Sequence, residues 1–226
     1  MLIDSNTIRR ATFVRELNNR FRCLVDLDGE EVLCYVPASC KLSNFIELAG
    51  CQVLLQRKCQ ASKMDYSLFA VDTQKGFILL NLALANNAIA DQLYRRYFSF
   101  LGRRKSIKRE LLIDGYKSDL FIEDTNTIVE IKTVLSPDKD AHFPTVHSGR
   151  SISQLEKIAN LLDAGHRVYY LFVSLGPQVK RVYLDCDDEY NALFLKCVSK
   201  GMKYYGCALE LKDNDIKISS HTEVVI

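Results

Sequence analysis

The chain has 226 residues, of which 48% are hydrophobic, 26% are charged and four are proline. This composition is typical of a compact globular protein and excludes a disordered or fibrous one. The net charge of +2 does not by itself indicate a nucleic-acid partner, so any such prediction depends on where the charges lie.

The N-terminal residues and the cysteines predict a cytoplasmic protein. Residues 1–6 lack the basic flank and apolar run of a secretory signal, and no apolar stretch is long enough to span a bilayer. In a reducing compartment we expect buried thiols rather than disulfides. Because the chain has no Cys-x-x-Cys spacing, structural zinc is not expected. The eight cysteines are Cys23, Cys34, Cys40, Cys51, Cys59, Cys186, Cys197 and Cys207.

Between residues 10 and 80 the apolar residues come in short groups separated by polar turns, which is the spacing of β-strands. The turn sequences divide this region into five or six strands, which are enough for a small closed barrel. Residues 41–48 break the pattern and suit a short helix or a tight connection as well as a strand. The turn sequences are Asp28-Gly29, Pro37-Ala38-Ser39, Ala49-Gly50 and Lys75-Gly76.

Near Asn81 the apolar spacing becomes helical, so we place a domain boundary at residue 82, giving domains 1–82 and 83–226. Beyond the boundary, strands and helices alternate, which predicts an α/β layer fold with a mixed sheet. Ser151 and Asp187 are predicted caps of the later helices, and Gly165 and Gly201 are predicted to end them. The predicted helices are 151–164 and 187–200, and the predicted strands are 107–113, 118–123, 128–134, 167–174, 180–184, 203–211 and 215–219.

Two charged residues interrupt an otherwise apolar strand at 128–134. The two-residue period of a strand puts Glu130 and Lys132 on one face and Val129 and Ile131 on the other. Asp119 begins the preceding strand. If residues 124–127 form a four-residue hairpin loop, residue 123 pairs with residue 128 and Asp119 lies opposite Lys132.

Two neighbouring carboxylates repel each other unless a cation lies between them, so this pattern predicts a site for Mg²⁺, with Mn²⁺ as an alternative. The metal would polarise a phosphodiester, and Lys132 would orient water or stabilise the developing charge. Glu110 could supply a further acid, and Arg150 and Gln154 flank a helix start where a phosphate could lie. The alternative interpretation is an ordinary ion pair on a solvated strand face.

An acid, an Asp and a Glu-x-Lys on a hairpin, followed by a helix, resemble the core of the PD-(D/E)XK nuclease superfamily. Over nearly the whole chain the order of motifs is similar to that of the sugar fermentation stimulation protein A family. These motifs are Asn18-Asn19-Arg20-Phe21, Tyr35-Val36-Pro37-Ala38, Lys41-Leu42, Glu47-Leu48-Ala49-Gly50, Leu82-Ala83-Leu84-Ala85-Asn86, Glu110, Asp119, Glu130-Ile131-Lys132-Thr133, Phe143-Pro144, Arg150 and Leu155.

The resemblance implies an N-terminal OB-like β-barrel followed by a PD-(D/E)XK nuclease-like domain, in a family described as DNA-binding and as acting on DNA or RNA. It implies catalytic roles for Asp119, Glu130 and Lys132 and metal ligation by Glu110, Asp119 and Glu130. The chain differs from the family pattern at Tyr116-Lys117, at Thr145-Val146 and at Ser151-Ile152-Ser153-Gln154.

Two basic clusters predict nucleic-acid contacts. Arg103, Arg104 and Lys105 belong to a stretch without acidic residues at 95–109, where interleaved aromatics could stack on bases. Phe98 and Phe100 are instead expected in the core. Arg15, Arg20 and Arg22 flank the first barrel strand, and OB-like barrels bind single strands on one face.

Together the residues and the resemblance predict a divalent-metal nuclease acting on DNA or RNA, with single strands favoured. One alternative is a DNA-binding regulatory protein that keeps the nuclease fold and cleaves nothing, and another is a structural or interaction protein. No membrane partner is expected, and a homodimer is compatible with the sequence.

Overall fold

The computed structural model describes residues 1–38, 41–58, 64–185 and 187–226, so Ser39, Cys40, Cys59 and Cys186 lie outside the described residues. The first six strands form one sheet in the order β3-β2-β1-β4-β5-β6, and β3 also pairs with β5, which closes an OB-like barrel. This confirms the predicted strand-rich barrel. The strands are β1 (Ile8–Glu16), β2 (Arg22–Leu27), β3 (Glu30–Tyr35), β4 (Gln52–Arg57), β5 (Tyr66–Thr73) and β6 (Gly76–Leu79). A short 3-10 helix, Leu42–Asn44, lies in the ambiguous segment 41–48.

Among the described residues, three α-helices and ten further strands follow the barrel. Eight strands form a mixed sheet, and β8 and β9 form a separate hairpin, so the predicted combination of a barrel with a mixed sheet is confirmed. The helices are α1 (Ala83–Gln92), α2 (Gly149–Asp163) and α3 (Asp188–Ser199). The strands are β7 (Ile107–Arg109), β8 (Leu112–Ile113), β9 (Tyr116–Lys117), β10 (Leu120–Ile122), β11 (Thr127–Val134), β12 (Asp140–His142), β13 (Arg167–Ser174), β14 (Arg181–Tyr183), β15 (Lys203–Lys212) and β16 (Asp215–Val225), and the sheet order is β12-β14-β16-β15-β13-β11-β10-β7.

The large sheet buries both of its faces. Val129 and Ile131 of β11 belong to a core that continues into the barrel and α1, whereas Ile128 and Val134 pack with buried residues of α2 and α3. The barrel and one face of the sheet therefore share one apolar core. The boundary at residue 82 stays a prediction.

Three local predictions are wrong. The strand predicted at 107–113 is interrupted because Glu110 has a left-handed backbone conformation with φ of 52°. Helix α2 begins after Ser148, so Ser151 lies inside the helix and does not cap it. The hairpin register between β10 and β11 also differs from the expected one, as described below. The cap predicted at Asp187 is confirmed, since its side chain accepts a hydrogen bond from the Tyr190 N–H.

The described cysteines are free, as predicted: Cys23, Cys34, Cys197 and Cys207 are buried and Cys51 is partly exposed. Burial raises the pKa of the Cys207 thiol to about 12, which keeps it protonated near neutral pH. Phe98 is fully buried, whereas Phe100 is 36% exposed. Among the described residues, no helix combines the length and the apolar character needed to cross a membrane.

Candidate active site

The hairpin formed by β10 and β11 carries the charged residues. Leu120 pairs with Val129 and Phe121 with Ile128, and continuing this register places Asp119 across from Glu130 rather than Lys132. The loop has four residues as predicted, but it comprises residues 123–126 instead of 124–127, because Ile122 pairs with Thr127. It contains a 3-10 turn at Glu123–Thr125 and ends with Asn126 in a left-handed conformation. Because side chains alternate with a period of two, this two-residue shift leaves the acids and the lysine on the predicted face.

Asp119 is held between α1 and β11. Its Oδ2 accepts a hydrogen bond of 2.8 Å from the Ile131 N–H, and its Oδ1 accepts one of 3.0 Å from the Asn86 side-chain amide. Burial and then the nearby charge of Glu130 raise the pKa of Asp119 from 3.8 to about 6, although the hydrogen bonds and Lys132 act in the opposite direction. The site therefore disfavours two negative charges without a cation.

Glu130 is the most enclosed charged group of the site, with 2% of the residue exposed. Its Oε1 accepts a hydrogen bond of 2.9 Å from Lys132 Nζ, and its Oε2 accepts one from the Tyr116 hydroxyl. Burial, and then the charge of Glu130, raise the pKa of Tyr116 well above its ordinary value. Tyr116 consequently remains a neutral hydrogen-bond donor.

Lys132 is fixed from several directions. Besides Glu130, its Nζ donates a hydrogen bond of 2.6 Å to Gln154 Oε1 on α2, and it lies 5.7 Å from the centroid of the Tyr170 ring. Only 13% of its side chain is exposed. The ammonium is therefore a positioned charge, unlike a solvated surface lysine.

The charged residues open into a cleft of about 610 Å³ between the barrel and the large sheet. The barrel side includes Arg20, and the opposite side includes Arg150 and Gln154 at the start of α2. Ser148 makes no side-chain capping hydrogen bond at this helix start within the part of the chain that the structure describes. Three of the predicted nucleic-acid contacts therefore line the same cleft as Asp119, Glu130 and Lys132.

The other predicted site residues lie elsewhere. The Glu110 side chain is 71% exposed, and its Oε2 lies 2.6 Å from Lys117 Nζ. This hydrogen bond lowers the pKa of Glu110. Arg15 and Arg22 are exposed on the barrel but do not line the cleft.

The basic cluster at 103–105 is partly engaged within the protein. The Arg104 guanidinium donates hydrogen bonds to the carbonyls of Leu93 and Gly102, and Arg103 forms an ion pair of 3.0 Å with Asp124. Lys105 is exposed. Of the three, Lys105 has the side chain that the described residues engage least.

The comparisons with known proteins agree with this architecture. The family model described as "Sugar fermentation stimulation protein RE domain" matches residues 83–215, which is more than half of the chain. The chain belongs to the SfsA family.

SfsA relatives match it from end to end. A sugar fermentation stimulation protein homolog of Clostridium acetobutylicum is 26% identical, and one of Caldanaerobacter subterraneus is 24% identical, each over 100% of both chains. The solved structure titled "The structure of Pyrococcus Furiosus SfsA in complex with Ca2+" matches with a TM-score of 0.86 at 19% identity, covering 100% of this chain and 99% of that one. This likeness supports the fold.

Three residues of the site had no predicted role. In the sequence Tyr116 stands out only as a departure from the SfsA family pattern, although a tyrosine near paired acids can indicate a hydrogen-bond donor. Asn86 stands in the Leu82-Ala83-Leu84-Ala85-Asn86 motif but carried no chemical signal of its own. Tyr170 gave no signal in its apolar strand, because its position under Lys132 depends on the parallel pairing of β11 with β13.

Proposed function

We propose that this protein is a divalent-metal-dependent nuclease that hydrolyses phosphodiesters of DNA or RNA, with single strands favoured. One observation carries the proposal: Asp119, Glu130 and Lys132 converge in a cleft between an OB-like barrel and a mixed sheet. A buried glutamate and a half-buried aspartate beside a positioned ammonium, in a cleft that arginines also line, suit an anionic substrate.

The donor set fits a hard cation such as Mg²⁺ or Mn²⁺. Asp119 and Glu130 would hold it, because burial and the charge of Glu130 raise the pKa of Asp119 to about 6, and a cation between the two carboxylates would offset both effects. The described residues contain no group of three His, Cys, Asp or Glu side chains that could hold an ion. Backbone oxygens, water or a redirected Glu110 would therefore complete the coordination. The similar Pyrococcus furiosus SfsA structure is a complex with Ca²⁺, another ion that prefers oxygen ligands.

When bound, the metal would supply an activated water and polarise the scissile phosphate. Lys132 would place its ammonium against the charge that develops on the phosphate oxygens, while Gln154 holds that ammonium in place. Arg20 and Arg150 would draw the sugar-phosphate backbone into the cleft. Asn86 and the Ile131 N–H would keep Asp119 in its orientation.

A specific observation also favours the second candidate, a DNA-binding regulatory protein that retains the nuclease fold. Both Glu130 oxygens already accept hydrogen bonds, and Glu110 is paired with Lys117. A protein that only binds DNA would keep these contacts unchanged when a divalent ion is added.

The cytoplasmic location and the homodimer also stay predictions.

The two candidates are separated by incubating the protein with labelled single- and double-stranded DNA and RNA in Mg²⁺, Mn²⁺ or EDTA. We expect cleavage in the metals that EDTA stops and that Asp119→Ala and Lys132→Ala abolish. Asp138→Ala and Lys75→Ala, which remove exposed charges of the same sign outside the cleft, are the matched controls and should cleave normally. Cleavage that survives EDTA, or that survives in both site variants, would rule out the mechanism.

A further inference from the structure

Four side chains form a row on the barrel surface beside the cleft: Arg20, Phe21, Tyr35 and Lys58. The Phe21 and Tyr35 rings are nearly parallel, with an interplanar angle of 13° and centroids 6.4 Å apart. The Arg20 guanidinium lies 4.7 Å from the Phe21 centroid, and Lys58 Nζ lies 4.3 Å from the Tyr35 centroid. We call these four residues the aromatic row.

The backbone holds the two rings side by side. Phe21 immediately precedes β2 and Tyr35 ends β3, where Tyr35 pairs with Arg22. The Val36 N–H also donates a hydrogen bond of 2.9 Å to the Phe21 carbonyl. Because the β2–β3 hydrogen bonds already order these residues, the protein would lose little conformational entropy when a ligand stacks on the rings.

The barrel core does not account for the exposure of Phe21. Cys23 on β2, Cys34 on β3 and Val36 just after β3 are fully buried in the core, whereas Phe21 remains 38% exposed. An exposed flat ring next to a second parallel ring and two cations is the combination on which unpaired bases stack, with their phosphates close to positive charge. The β2–β3 face is also where OB-like barrels take oligonucleotides.

We propose that the aromatic row is a base-stacking subsite for single-stranded nucleic acid, an inference that rests on the nuclease function proposed above. Arg20 links the subsite to the reaction, because it both contacts Phe21 and lines the cleft that contains Asp119, Glu130 and Lys132. A strand whose bases stack on the row passes its backbone along Arg20 toward the acids. Duplex bases are stacked on each other and do not reach the rings, so the row selects single strands.

The absence of tryptophan from the chain permits a direct test. Phe21→Trp places a single tryptophan in the row, whose emission can be excited apart from that of the tyrosines. Tyr204→Trp is the matched control, because Tyr204 is 37% exposed and lies on β15, outside the barrel. The probe is oligothymidylate in EDTA, so that no cleavage is needed. We expect saturable quenching of the Phe21→Trp protein by the single strand, weak quenching by a duplex of equal length and no quenching of the Tyr204→Trp protein.

A second measurement separates the contribution of the bases to binding affinity from that of the phosphates. Phe21→Ala should weaken oligothymidylate binding by about 5- to 150-fold. Phe21→Ala should not change the affinity for an abasic oligomer with the same number of phosphates. Phe21→Tyr should bind oligothymidylate with the wild-type affinity. Unquenched Phe21→Trp, or equal losses for both oligomers, would overturn the subsite. Cleavage in Mg²⁺ is scored separately: quenching without cleavage supports the subsite while rejecting the nuclease, and cleavage without quenching does the reverse.

Discussion

The Lys132 ammonium lies 2.9 Å from the Glu130 carboxylate where only 3% of the Glu130 side chain is exposed. A buried ion pair is tolerated only when each partner remains compensated, because an isolated buried charge is strongly unfavourable. We therefore expect Lys132→Met, which keeps the side-chain volume and removes the charge, to lower the free energy of unfolding by about 3 to 5 kcal/mol. Urea denaturation at pH 7 measures this loss.

The matched comparison is a double-mutant cycle with Glu130→Gln. Because Glu130→Gln removes the charge that Lys132→Met leaves uncompensated, the double variant should be less destabilised than the sum of the single variants, by about 1 to 3 kcal/mol. Simple additivity would show that the pair is not coupled and that the ammonium is not held by Glu130.

Asp119 gives the folded protein a pH dependence of defined sign. Its pKa is raised from 3.8 to about 6, so the folded state binds this proton more tightly than the unfolded state does. The corresponding stabilisation is fully present below about pH 4 and is lost as the pH rises through about 6, and it amounts to about 3 kcal/mol. We expect the wild type to lose stability relative to Asp119→Asn across this range in denaturation series run without metal. Parallel curves for the two proteins would contradict the raised pKa.

Much of this site could be predicted from the pattern of residues. The period of two on β11 was enough to put Glu130 and Lys132 on one face, because strand geometry fixes it locally. The hairpin register could not be predicted in the same way. It depends on Asn126 adopting a left-handed conformation, which the Asp-Thr-Asn-Thr sequence does not specify uniquely. The placement of Glu110 could not be predicted either, because its left-handed backbone, with φ of 52°, is uncommon for a residue other than glycine and has no signature in the sequence. The contacts from Tyr116, Asn86 and Tyr170 depend on tertiary structure and have no local signature.

Metal affinity tests whether Glu110 joins the site. In isothermal calorimetric titrations of Mn²⁺ at pH 7, we expect Asp119→Asn to weaken binding by about tenfold or more, because it removes one of the two carboxylates that would hold the ion. Glu110→Ala should have a smaller effect as long as this carboxylate stays with Lys117. Equal losses in the two variants would show that Glu110 turns from Lys117 and becomes a ligand, as the family resemblance implies.

Proton competition should accompany this binding. Because Asp119 must be ionised to act as a ligand, Mn²⁺ affinity should fall as the pH drops below about 6. The control is Asp138→Ala, because Asp138 lies outside the cleft. This variant should keep the wild-type dependence of Mn²⁺ affinity on pH. A pH-independent affinity would place the metal elsewhere on the chain.

Arg104 and Lys105 should respond differently to substitution although they are neighbours in one basic cluster. Arg104 donates to the Leu93 carbonyl at the end of α1 at 2.7 Å, so Arg104→Ala should destabilise the fold by about 1 to 2 kcal/mol. Lys105 is exposed, so Lys105→Ala should leave stability unchanged. If Lys105 contacts a phosphate, Lys105→Ala should reduce the steepness of the plot of log affinity for single strands against log salt concentration by about 0.7. Thermal melts and oligonucleotide titrations at several salt concentrations measure the two effects, and an unchanged slope in Lys105→Ala would remove this residue from the nucleic-acid surface.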